Sequence, residues 1–528
     1  MKRWNGWGFT NVDYPLSGGM LEFLTERVGS GRKSADAPLS DVAQRVPHSR
    51  LAEHPLITTD IVERITHSTG QSMNDWIAMR SGRIPAFVDG TAYPVNRADV
   101  RALIDYARST GARLIPYGGG TSVVGHLTPV GDAPTLSVDM RRMSDLIALD
   151  SASQLATFGA GIAGMDVEAK LRARGFTLGH YPQSFEFSTV GGWIATRSSG
   201  QQSRHYGRIE SMFAGGHVET PNGALDLLPV PASAAGIDLR EIVLGSEGRI
   251  GIITDAVLRV ARLPDHERFD GVVFPTFEQG VNAVREIAQA NLPLSMMRLS
   301  SAVETETQFA LSHSSLMPLL ERYLAMRGAS NERAMLIYGV TGKRDICASA
   351  KAAALSIIRQ HGGIFVGAVM GSSWKKNRFR SAYLRNTLWD HGYAVDTLET
   401  AVPWSSTFPL MRAIESAIRE AAAAHDERVH VFTHLSHVYP TGSSIYTTYV
   451  FPLGLTPEAT AQTWQAMKAA ASQAVIAHGG TISHQHGVGL DHAAYLSAEK
   501  GETGIDAMRA LIRHFDPDGL MNPGKLVP

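Results

Sequence analysis

The sequence contains a single cysteine, no long apolar run and almost no net charge. Cys347 alone cannot form an internal disulfide, which excludes a disulfide-stapled scaffold and suits a reducing compartment. No stretch approaches the roughly 18 consecutive apolar residues that a membrane-spanning helix needs, and residues 1–8 lack the apolar core of a signal peptide. The formal net charge of −1 gives no general attraction to nucleic acid. We therefore expect a cytoplasmic protein without a nucleic-acid partner.

The chain is long and rich in apolar residues. Its 528 residues are 44% hydrophobic and 19% charged, which predicts an ordered protein with more than one domain. The apolar pattern divides it into an irregular and partly helical segment 1–85, a mixed segment 86–264, a segment 265–470 of strands between Ala-rich helices, and a closing segment 471–528. We expect an α+β fold in which the third segment carries a mainly antiparallel sheet.

The most informative motif is the Gly-rich loop Pro116–Ser122, which follows an apolar run that begins at Arg113. Three consecutive glycines permit backbone angles that turn amide hydrogens inward, and Thr121 and Ser122 add hydroxyl donors. Such a concave set of donors is typical of a loop that binds a diphosphate. The alternative interpretation is a simple turn after a strand.

A second Gly-rich motif, Gly159–Gly164, fits the G-x-G-x-x-G pattern of dinucleotide-binding proteins. That pattern requires an acidic residue at the end of a strand about twenty residues further on, where it holds a ribose. Here that region contains Gly179–Gln183, which has no acidic residue. We interpret Gly159–Gly164 as a packing turn between a strand and a helix, not as a nicotinamide-nucleotide site.

Four motifs in this order resemble the vanillyl-alcohol-oxidase-type FAD flavoproteins, and within them the alkylglycerone-phosphate synthase branch. They are Pro116–Ser122, Tyr181–Trp193, Gly245–Gly248 and Asn522–Lys525. The likeness extends from Lys2 to the last predicted helix. It implies that the second and fourth segments form a two-lobed FAD-binding domain. The third segment would be a cap domain whose antiparallel sheet is flanked by helices.

The resemblance assigns the FAD contacts mainly to glycines and to short hydroxyl side chains, which let a cofactor approach the backbone. The cofactor-binding candidates are Pro116, Tyr117, Gly118, Gly119, Gly120, Thr121, Ser122, Gln183, Ser184, Ser188, Thr189, Thr196, Arg197, Ser198, Ser199, Glu247, Gly248, Ile250, Gly251 and Ile253. Family members that tether the flavin covalently often carry histidine where this chain has Thr121, so we expect non-covalent FAD. His217 follows two glycines in a strand-like segment and is expected to be structural.

The resemblance also implies a set of residues on the substrate side. The catalytic candidates are Tyr446, His484, His486, His180 and Arg298, and the substrate-binding candidates are Arg385 and Thr397. A guanidinium is suited to grip a phosphate, a tyrosine can carry a proton, and imidazoles exchange protons near neutral pH. Two positions depart from the family: Gln485 replaces the middle one of three histidines, and Thr397 replaces a serine.

The competing class is the 2-hydroxy-acid dehydrogenases of the same superfamily, which show H-x-G-D-G-N-x-H and E-H-G-x-G segments that can bind a divalent metal. In this chain Tyr446 ends the first segment and Gln485 begins the second. A site that lacks both an imidazole and a carboxylate is a poor metal site, so we predict that no metal is bound. A flavin-binding protein without chemistry is a third alternative.

The function that the resemblance implies is therefore that of an FAD-dependent flavoenzyme of ether lipid biosynthesis. It would exchange the acyl group of acyl-glycerone-phosphate for a fatty alcohol, which makes it a transferase. The alternative is an FAD-dependent oxidoreductase that acts on a 2-hydroxy acid or a polyol phosphate. The expected partners are a small-molecule or lipid phosphate substrate, a second copy of the chain in a homodimer, and a peripheral membrane contact.

Overall fold

The computed structural model describes residues 1–16, 18–311 and 317–527 and has an α+β architecture, as predicted. The first segment is more helical than its sequence pattern indicates. Asp60 and Ser72 each cap a helix there by accepting hydrogen bonds from backbone amides. Its elements are α1 (Gly18–Val28), α2 (Leu39–Ala43), β1 (Ile57–Thr58), α3 (Ile61–Thr66) and α4 (Met73–Ser81), and β2 (Gly90–Ala92) follows at the start of the second segment.

The second segment contributes to two larger sheets that share α5 as a packing neighbour, and it contains a two-stranded sheet formed by β7 and β11. Asn96 caps α5, Gly111 ends it in a left-handed conformation, and its apolar face is buried, as the periodicity predicts. Its elements are α5 (Arg97–Thr110), β3 (Arg113–Tyr117), β4 (Thr135–Asp139), β5 (Leu146–Asp150), β6 (Leu155–Gly159), α6 (Gly164–Arg172), β7 (Phe176–Thr177), α7 (Val190–Ala195), α8 (Ser203–Tyr206), α9 (Ile209–Met212), β8 (Phe213–Thr220), β9 (Gly223–Leu227), α10 (Arg240–Val243), β10 (Ile252–Arg259) and β11 (Ala261–Arg262).

The third and fourth segments contain the largest sheet and most of the long helices. α18 crosses the expected segment boundary at residue 470, and Gly501 interrupts α19 with a φ of 67°. The elements are β12 (His266–Phe274), α11 (Phe277–Gln289), β13 (Met296–Ser300), α12 (Ala302–Ala310), α13 (Met317–Met326), β14 (Ala334–Gly342), α14 (Arg344–Gln360), β15 (Ile364–Gly367), α15 (Ala368–Asn377), α16 (Ser381–Asp390), β16 (Tyr393–Pro403), α17 (Trp404–Ala423), β17 (His430–Leu435), β18 (Gly442–Pro452), α18 (Pro457–Ala477) and α19 (Leu496–Phe515).

The strand order of the sheets determines where the functional segments lie. The order β1-β2-β4-β3 pairs β3 and β4 in parallel, and the order β5-β6-β10-β8-β9 forms a second, antiparallel sheet. The seven-stranded sheet β15-β12-β14-β13-β17-β18-β16 is antiparallel throughout, which confirms the prediction for residues 265–470. Cys347 is buried on α14.

The C-terminal segment returns to the first sheet. The Leu114 amide donates to the Leu520 carbonyl at 2.9 Å, and the Asn522 amide donates to the Leu114 carbonyl at 2.8 Å. These bonds place Asn522 beside the strand that leads into the Gly-rich loop. Within the described residues, no helix is both long enough and apolar enough to span a bilayer.

The motif Gly159–Gly164 is a packing turn, as interpreted from the sequence. A Cβ atom on Gly161 would lie 1.7 Å from the Met140 carbonyl oxygen, so only glycine allows this close approach of two backbone segments. His217 lies on β8, where Nδ1 is 2.6 Å from Asp226 and Nε2 is 2.9 Å from Glu219. Both ring nitrogens are therefore engaged, which agrees with a structural role.

Candidate functional site

One large cavity, of about 680 Å³, joins the Gly-rich loop to the seven-stranded sheet. Its walls include Gly118 and Thr189 at one side and Arg385 and Tyr446 from the third segment at the other. The apolar lining exceeds the polar lining, since Leu24, Leu388, Val450 and other aliphatic side chains contribute to it. The cavity therefore combines donors that suit a charged cofactor with walls that suit an apolar molecule.

The first loop begins where β3 ends at Tyr117. Gly120 has a φ of 73°, a left-handed conformation that favours glycine. A Cβ atom on Gly119 would lie 1.9 Å from the Phe187 carbonyl oxygen. The Gly-rich loop is therefore packed directly against the loop that precedes α7, and the two line the same cavity.

The second loop ends at the N-terminus of α7. Thr189 is the N-cap, and its hydroxyl lies 3.4 Å from the Gly192 amide that donates to it. The Trp193 indole donates to the Ser188 hydroxyl at 2.7 Å, which fixes that side chain at the cavity wall. Hydroxyl groups and a helix N-terminus thus face the region where a diphosphate would lie.

Glu247 connects this region to the last part of the chain. Its carboxylate accepts hydrogen bonds from the backbone amides of Val488 and Gly489, the second at 2.9 Å, and lies 2.9 Å from His126 Nε2. Its carbonyl accepts from the Asn522 side-chain amide at 2.8 Å. Since His126 Nδ1 also lies 2.7 Å from the Ser122 hydroxyl, both ring nitrogens face protein groups.

The polar lining fits a cofactor with many hydrogen-bonding groups. Ser199 Oγ and Asn522 Oδ1 belong to residues on the cavity wall and are buried without a hydrogen-bond partner in the described part of the chain. Buried polar atoms in native proteins are normally satisfied, so these two call for a ligand that supplies partners. FAD, with its ribityl hydroxyls, diphosphate and ring nitrogens, meets that requirement.

Most of the predicted cofactor residues line the cavity. Those that do are Pro116, Tyr117, Gly118, Gly119, Gly120, Thr121, Ser122, Gln183, Ser184, Ser188, Thr189, Thr196, Ser198, Ser199, Glu247, Gly248, Gly251 and Ile253. Arg197 and Ile250 do not reach it: the Arg197 guanidinium pairs with Glu241 at 2.6 Å, and Ile250 is buried in the core. Asn522 and Ile252 are on the wall but were not among the predicted residues.

Tyr446 lies on β18 at the substrate end of the cavity. Its hydroxyl donates to Thr397 Oγ1 at 3.2 Å. The His486 ring lies edge-on to the Tyr446 ring, with the ring centroids 5.9 Å apart. Burial raises the pKa of Tyr446 to about 12, so the phenol keeps its proton at neutral pH. These three residues, each predicted from the resemblance, therefore meet at one point of the cavity.

Arg385 reaches the cavity from α16. One guanidinium nitrogen donates to the Gln71 carbonyl, and the group lies over the Trp76 ring at 4.5 Å. Its Nε and Nη2 atoms are buried without a partner among the described residues. Burial lowers the pKa of Arg385 to about 10, which still leaves it positively charged at neutral pH. An anionic ligand would satisfy both the charge and the free donors.

Arg298 belongs to a cluster that the sequence pattern did not reveal. Its Nη2 donates to Glu304 Oε1 at 2.6 Å and lies 3.2 Å from His434 Nδ1. His434 in turn stacks on the Tyr446 ring, with centroids 4.8 Å apart. Glu304 on α12 is far apart in sequence from His434 on β17, so only the folded sheet brings these two residues together.

Two predicted histidines lie behind the cavity wall. His484 Nε2 accepts hydrogen bonds from Arg208 at 2.8 Å and from the Tyr439 hydroxyl at 2.7 Å. His180 is buried against Trp193, and its Nε2 lies 3.2 Å from the Ser198 hydroxyl. Neither is among the residues that line the cavity. Direct contact with substrate is therefore better supported for His486 than for these two.

Glu399, His437 and His484 place three possible metal ligands within 4.8 Å of one another. The sequence pattern did not indicate this cluster. The Glu399 carboxylate already accepts hydrogen bonds from Ser436 and Gln485, and the Arg208 guanidinium contacts the His484 ring. The positive charge of Arg208, so close to these possible ligands, disfavours the binding of a divalent cation. The hydrogen bonds favour a metal-free network at this position.

The comparisons with known proteins agree with this geometry. A family model described as "FAD binding domain" matches residues 88–226, and one described as "FAD linked oxidases, C-terminal domain" matches residues 263–526. The chain is 32% identical over 478 residues to an alkyldihydroxyacetonephosphate synthase of Dictyostelium discoideum, covering 89% of this chain and 78% of the relative.

A solved alkyldihydroxyacetonephosphate synthase structure superposes with a TM-score of 0.84 at 28% identity, covering 99% of this chain and 98% of that chain. A mitochondrial D-lactate dehydrogenase [cytochrome] of Arabidopsis thaliana is 25% identical over 513 residues, covering 94% of this chain and 83% of the relative. The resemblance seen in the four sequence motifs is thus confirmed, and the two-lobed FAD-binding fold with its cap is confirmed with it.

Proposed function

Because the chain belongs to the alkyldihydroxyacetonephosphate synthase family of FAD-dependent enzymes, we propose that it exchanges the acyl group of acyl-glycerone-phosphate for a fatty alcohol. The observation that carries this proposal is the meeting of Tyr446 and Arg385 in the cavity that the flavin loops also line. We further propose residues 86–264 with 471–528 as the FAD-binding unit and 265–470 as the substrate cap.

The cap supports a lipid phosphate as substrate. Arg385 lines the cavity and has two guanidinium donors without a partner among the described residues, which suits a phosphate monoester. The same cavity is lined by Leu24 of α1, Leu311 after α12 and Phe432 of β17, which suit a long alkyl or acyl chain. A short 2-hydroxy acid has no long apolar chain to contact this wall, and it carries no anionic group besides its carboxylate.

Some of these residues would bind the cofactor, and others would act on the substrate. The bound FAD would supply a nucleophilic ring nitrogen for the exchange. Ser188 and Thr189 would hold the cofactor, which is not attached covalently because Thr121 cannot form such a bond and His126 is engaged with Ser122 and Glu247. Tyr446 would move a proton at the substrate carbon, with Thr397 and His486 fixing its ring and hydroxyl.

An activity screen on purified holoprotein tests the proposal. Acyl-glycerone-phosphate with a fatty alcohol should yield the alkyl ether and free fatty acid without consuming an electron acceptor. D-lactate, glycolate and polyol phosphates with an artificial acceptor should turn over at least a hundredfold more slowly. The reverse preference would establish the oxidoreductase alternative. A homodimer and a peripheral membrane contact are further proposals, to be checked by light scattering and by vesicle sedimentation.

Arg385→Lys should raise KM for acyl-glycerone-phosphate roughly tenfold or more while kcat changes little. A lysine ammonium keeps the positive charge but cannot make the two parallel hydrogen bonds of a guanidinium. Steady-state kinetics over a substrate series measure this. Arg344→Lys, at the start of α14, is the control and should match wild type. An unchanged KM for Arg385→Lys would show that another group holds the phosphate.

Chelation should leave alkyl transfer intact. Glu399 and His484 are already held by protein hydrogen bonds, so EDTA treatment should reduce activity by less than about twofold. Elemental analysis of the purified protein should find no stoichiometric zinc or manganese. If EDTA abolishes activity and one divalent ion restores it, the cluster of Glu399, His437 and His484 is a metal site after all.

A further inference from the structure

Residues 2–9 form a hairpin at the start of the chain that no step of the proposed reaction uses. Lys2 and Phe9 pair across it as an isolated antiparallel bridge. The Trp7 side chain is buried and lines the large cavity. This N-terminal hairpin therefore belongs to the wall of the site, although it lies outside both matched family regions.

The N-terminal hairpin is anchored to both loops that would hold FAD. The Lys2 ammonium donates to the Gly119 carbonyl of the Gly-rich loop at 2.9 Å. The Phe187 ring, in the loop that precedes α7, lies edge-on to the rings of Trp7 and Phe9, with centroids 5.5 Å and 5.4 Å away. Because Gly119 packs directly against the Phe187 carbonyl, the hairpin covers the place where the two loops meet.

The same hairpin is bonded to α16, the helix that carries Arg385. The buried Asn386 side chain accepts a hydrogen bond from the Trp7 amide at 3.0 Å and donates to the Trp7 carbonyl at 2.9 Å. Arg80 also approaches Asn386 Oδ1, at 3.5 Å. Gly6 leaves room for this pairing, since a Cβ atom there would lie 2.4 Å from Asn386 Oδ1. Two hydrogen bonds thus join α16 to the backbone of the hairpin.

A second contact fixes the rotation of α16 about its axis. Tyr383 lies three residues before Asn386 and therefore on the same face of the helix. Gly8, with a φ of 79°, lets the hairpin approach that face, because a Cβ atom there would lie 2.1 Å from Tyr383 Cε1. The Tyr383 hydroxyl donates to Glu186, in the loop that precedes α7, at 2.7 Å. A helix held at two positions of one face cannot turn, which sets the direction of the neighbouring Arg385.

Arg385 has few contacts of its own to hold it. Its guanidinium donates to the Gln71 carbonyl, and two of its nitrogens have no partner among the described residues. We propose that Asn386, paired with the Trp7 backbone, is a positioning residue that holds Arg385 in place relative to the two flavin loops. This inference rests on the proposed function, in which Arg385 grips the substrate phosphate while FAD is bound by the loops.

Asn386→Ala should raise KM for acyl-glycerone-phosphate roughly tenfold and change kcat by less than about threefold. The Trp7 amide and carbonyl lose their partners, α16 loosens from the hairpin, and Arg385 meets the phosphate less often in the productive geometry. KM for the fatty alcohol and FAD content should stay near wild type, because Lys2 and Phe187 keep their contacts. Steady-state kinetics of the holoenzyme, with flavin content recorded, measure all four quantities.

Gly6→Ala perturbs the same pairing from the side of the hairpin. Its methyl group would meet Asn386 Oδ1 at 2.4 Å, so this variant should also raise KM for acyl-glycerone-phosphate while α16 keeps its own sequence. Asn282→Ala, on α11, is the control for loss of a helical asparagine. Its side chain accepts from Arg285 at 3.0 Å and is not among the residues that line the cavity, so its kinetics should match wild type.

A double-mutant cycle separates positioning from a general loss of stability. If Asn386 acts through Arg385, adding Asn386→Ala to Arg385→Lys should raise KM by less than about twofold further. Fully additive increments overturn the inference. So does an unchanged KM in both Asn386→Ala and Gly6→Ala, or a loss confined to FAD content and melting temperature.

Calorimetric titration of holoenzyme with glycerone phosphate measures the phosphate grip without turnover. Asn386→Ala should weaken this binding roughly tenfold, as it raises KM, and Asn282→Ala should not. Wild type that forms no alkyl ether overturns the proposed exchange, and the titrations of the same variants then decide separately on Asn386. Equal affinity of wild type and Asn386→Ala for glycerone phosphate overturns the positioning role even where wild type carries out the exchange.

Discussion

Replacing Tyr446 by phenylalanine should lower kcat for alkyl transfer by roughly a hundredfold or more, the usual contribution of a positioned acid or base. A hundredfold corresponds to about 2.7 kcal/mol of transition-state stabilisation. The phenol is buried, keeps its proton at neutral pH and donates to Thr397 at 3.2 Å, so it is held ready to exchange a proton at the substrate carbon. KM and FAD content should stay near wild type, because Arg385 and the flavin loops are untouched.

A second tyrosine of the same sheet provides the control for this substitution. Tyr393 on β16 is buried and donates its hydroxyl to the Gly29 carbonyl at 2.9 Å, but it does not line the cavity. Tyr393→Phe therefore removes a buried hydroxyl without removing a group at the site, and its kcat should match wild type. If Tyr446→Phe turns over like Tyr393→Phe, the proton at the substrate carbon moves through another residue, and the neighbouring His486 becomes the first candidate.

The flavin loop could be predicted from sequence because its chemistry is local. Three adjacent glycines and two hydroxyl residues between Pro116 and Ser122 are enough to form a concave set of donors, wherever the rest of the chain lies. The rejection of Gly159–Gly164 as a nucleotide site was also local, since the required acidic residue is missing nearby. In the structure, the first motif lines the cavity along its whole length, whereas Gly159 and Gly161 of the second motif pack against backbone.

The cluster around His434 could not be predicted in the same way. Arg298, Glu304 and His434 are polar residues on a strand, a helix and another strand, and nothing in their spacing distinguishes them from a solvated face. Their proximity depends on the strand order that puts β17 between β13 and β18. The resemblance pointed to Arg298 alone, and the carboxylate that engages it became visible only in the folded sheet.

Segment 1–85 shows a different limit of prediction from sequence. Its sequence predicts an irregular and partly helical segment, because Pro and polar residues interrupt the apolar periodicity. The described residues of this segment form four helices: α1 and α4 pack Leu24 and Trp76 against the body of the protein, and α2 and α3 bury Val42 and Ile65 in a small cluster within the segment. Tertiary contacts thus supply the stability that short helices lack on their own.

Gly119→Ala should yield protein with less than about a tenth of the wild-type FAD content, and alkyl transfer should fall in proportion. The smallest possible side chain at this position would lie 1.9 Å from the Phe187 carbonyl oxygen, a backbone atom that cannot turn aside. The two flavin loops would have to separate, which removes the convergent donors on which a diphosphate depends.

Gly504→Ala is the matched control, because its added methyl meets only the Lys500 side chain at 3.2 Å. Absorbance spectra and far-UV circular dichroism of both variants distinguish a folded apoprotein from an unfolded chain. The wild-type protein should be yellow and release all its flavin on acid precipitation, since Thr121 stands where relatives that tether the flavin often carry histidine. Full flavin content in folded Gly119→Ala would mean that FAD is held elsewhere, and flavin that stays with precipitated wild type would contradict non-covalent binding.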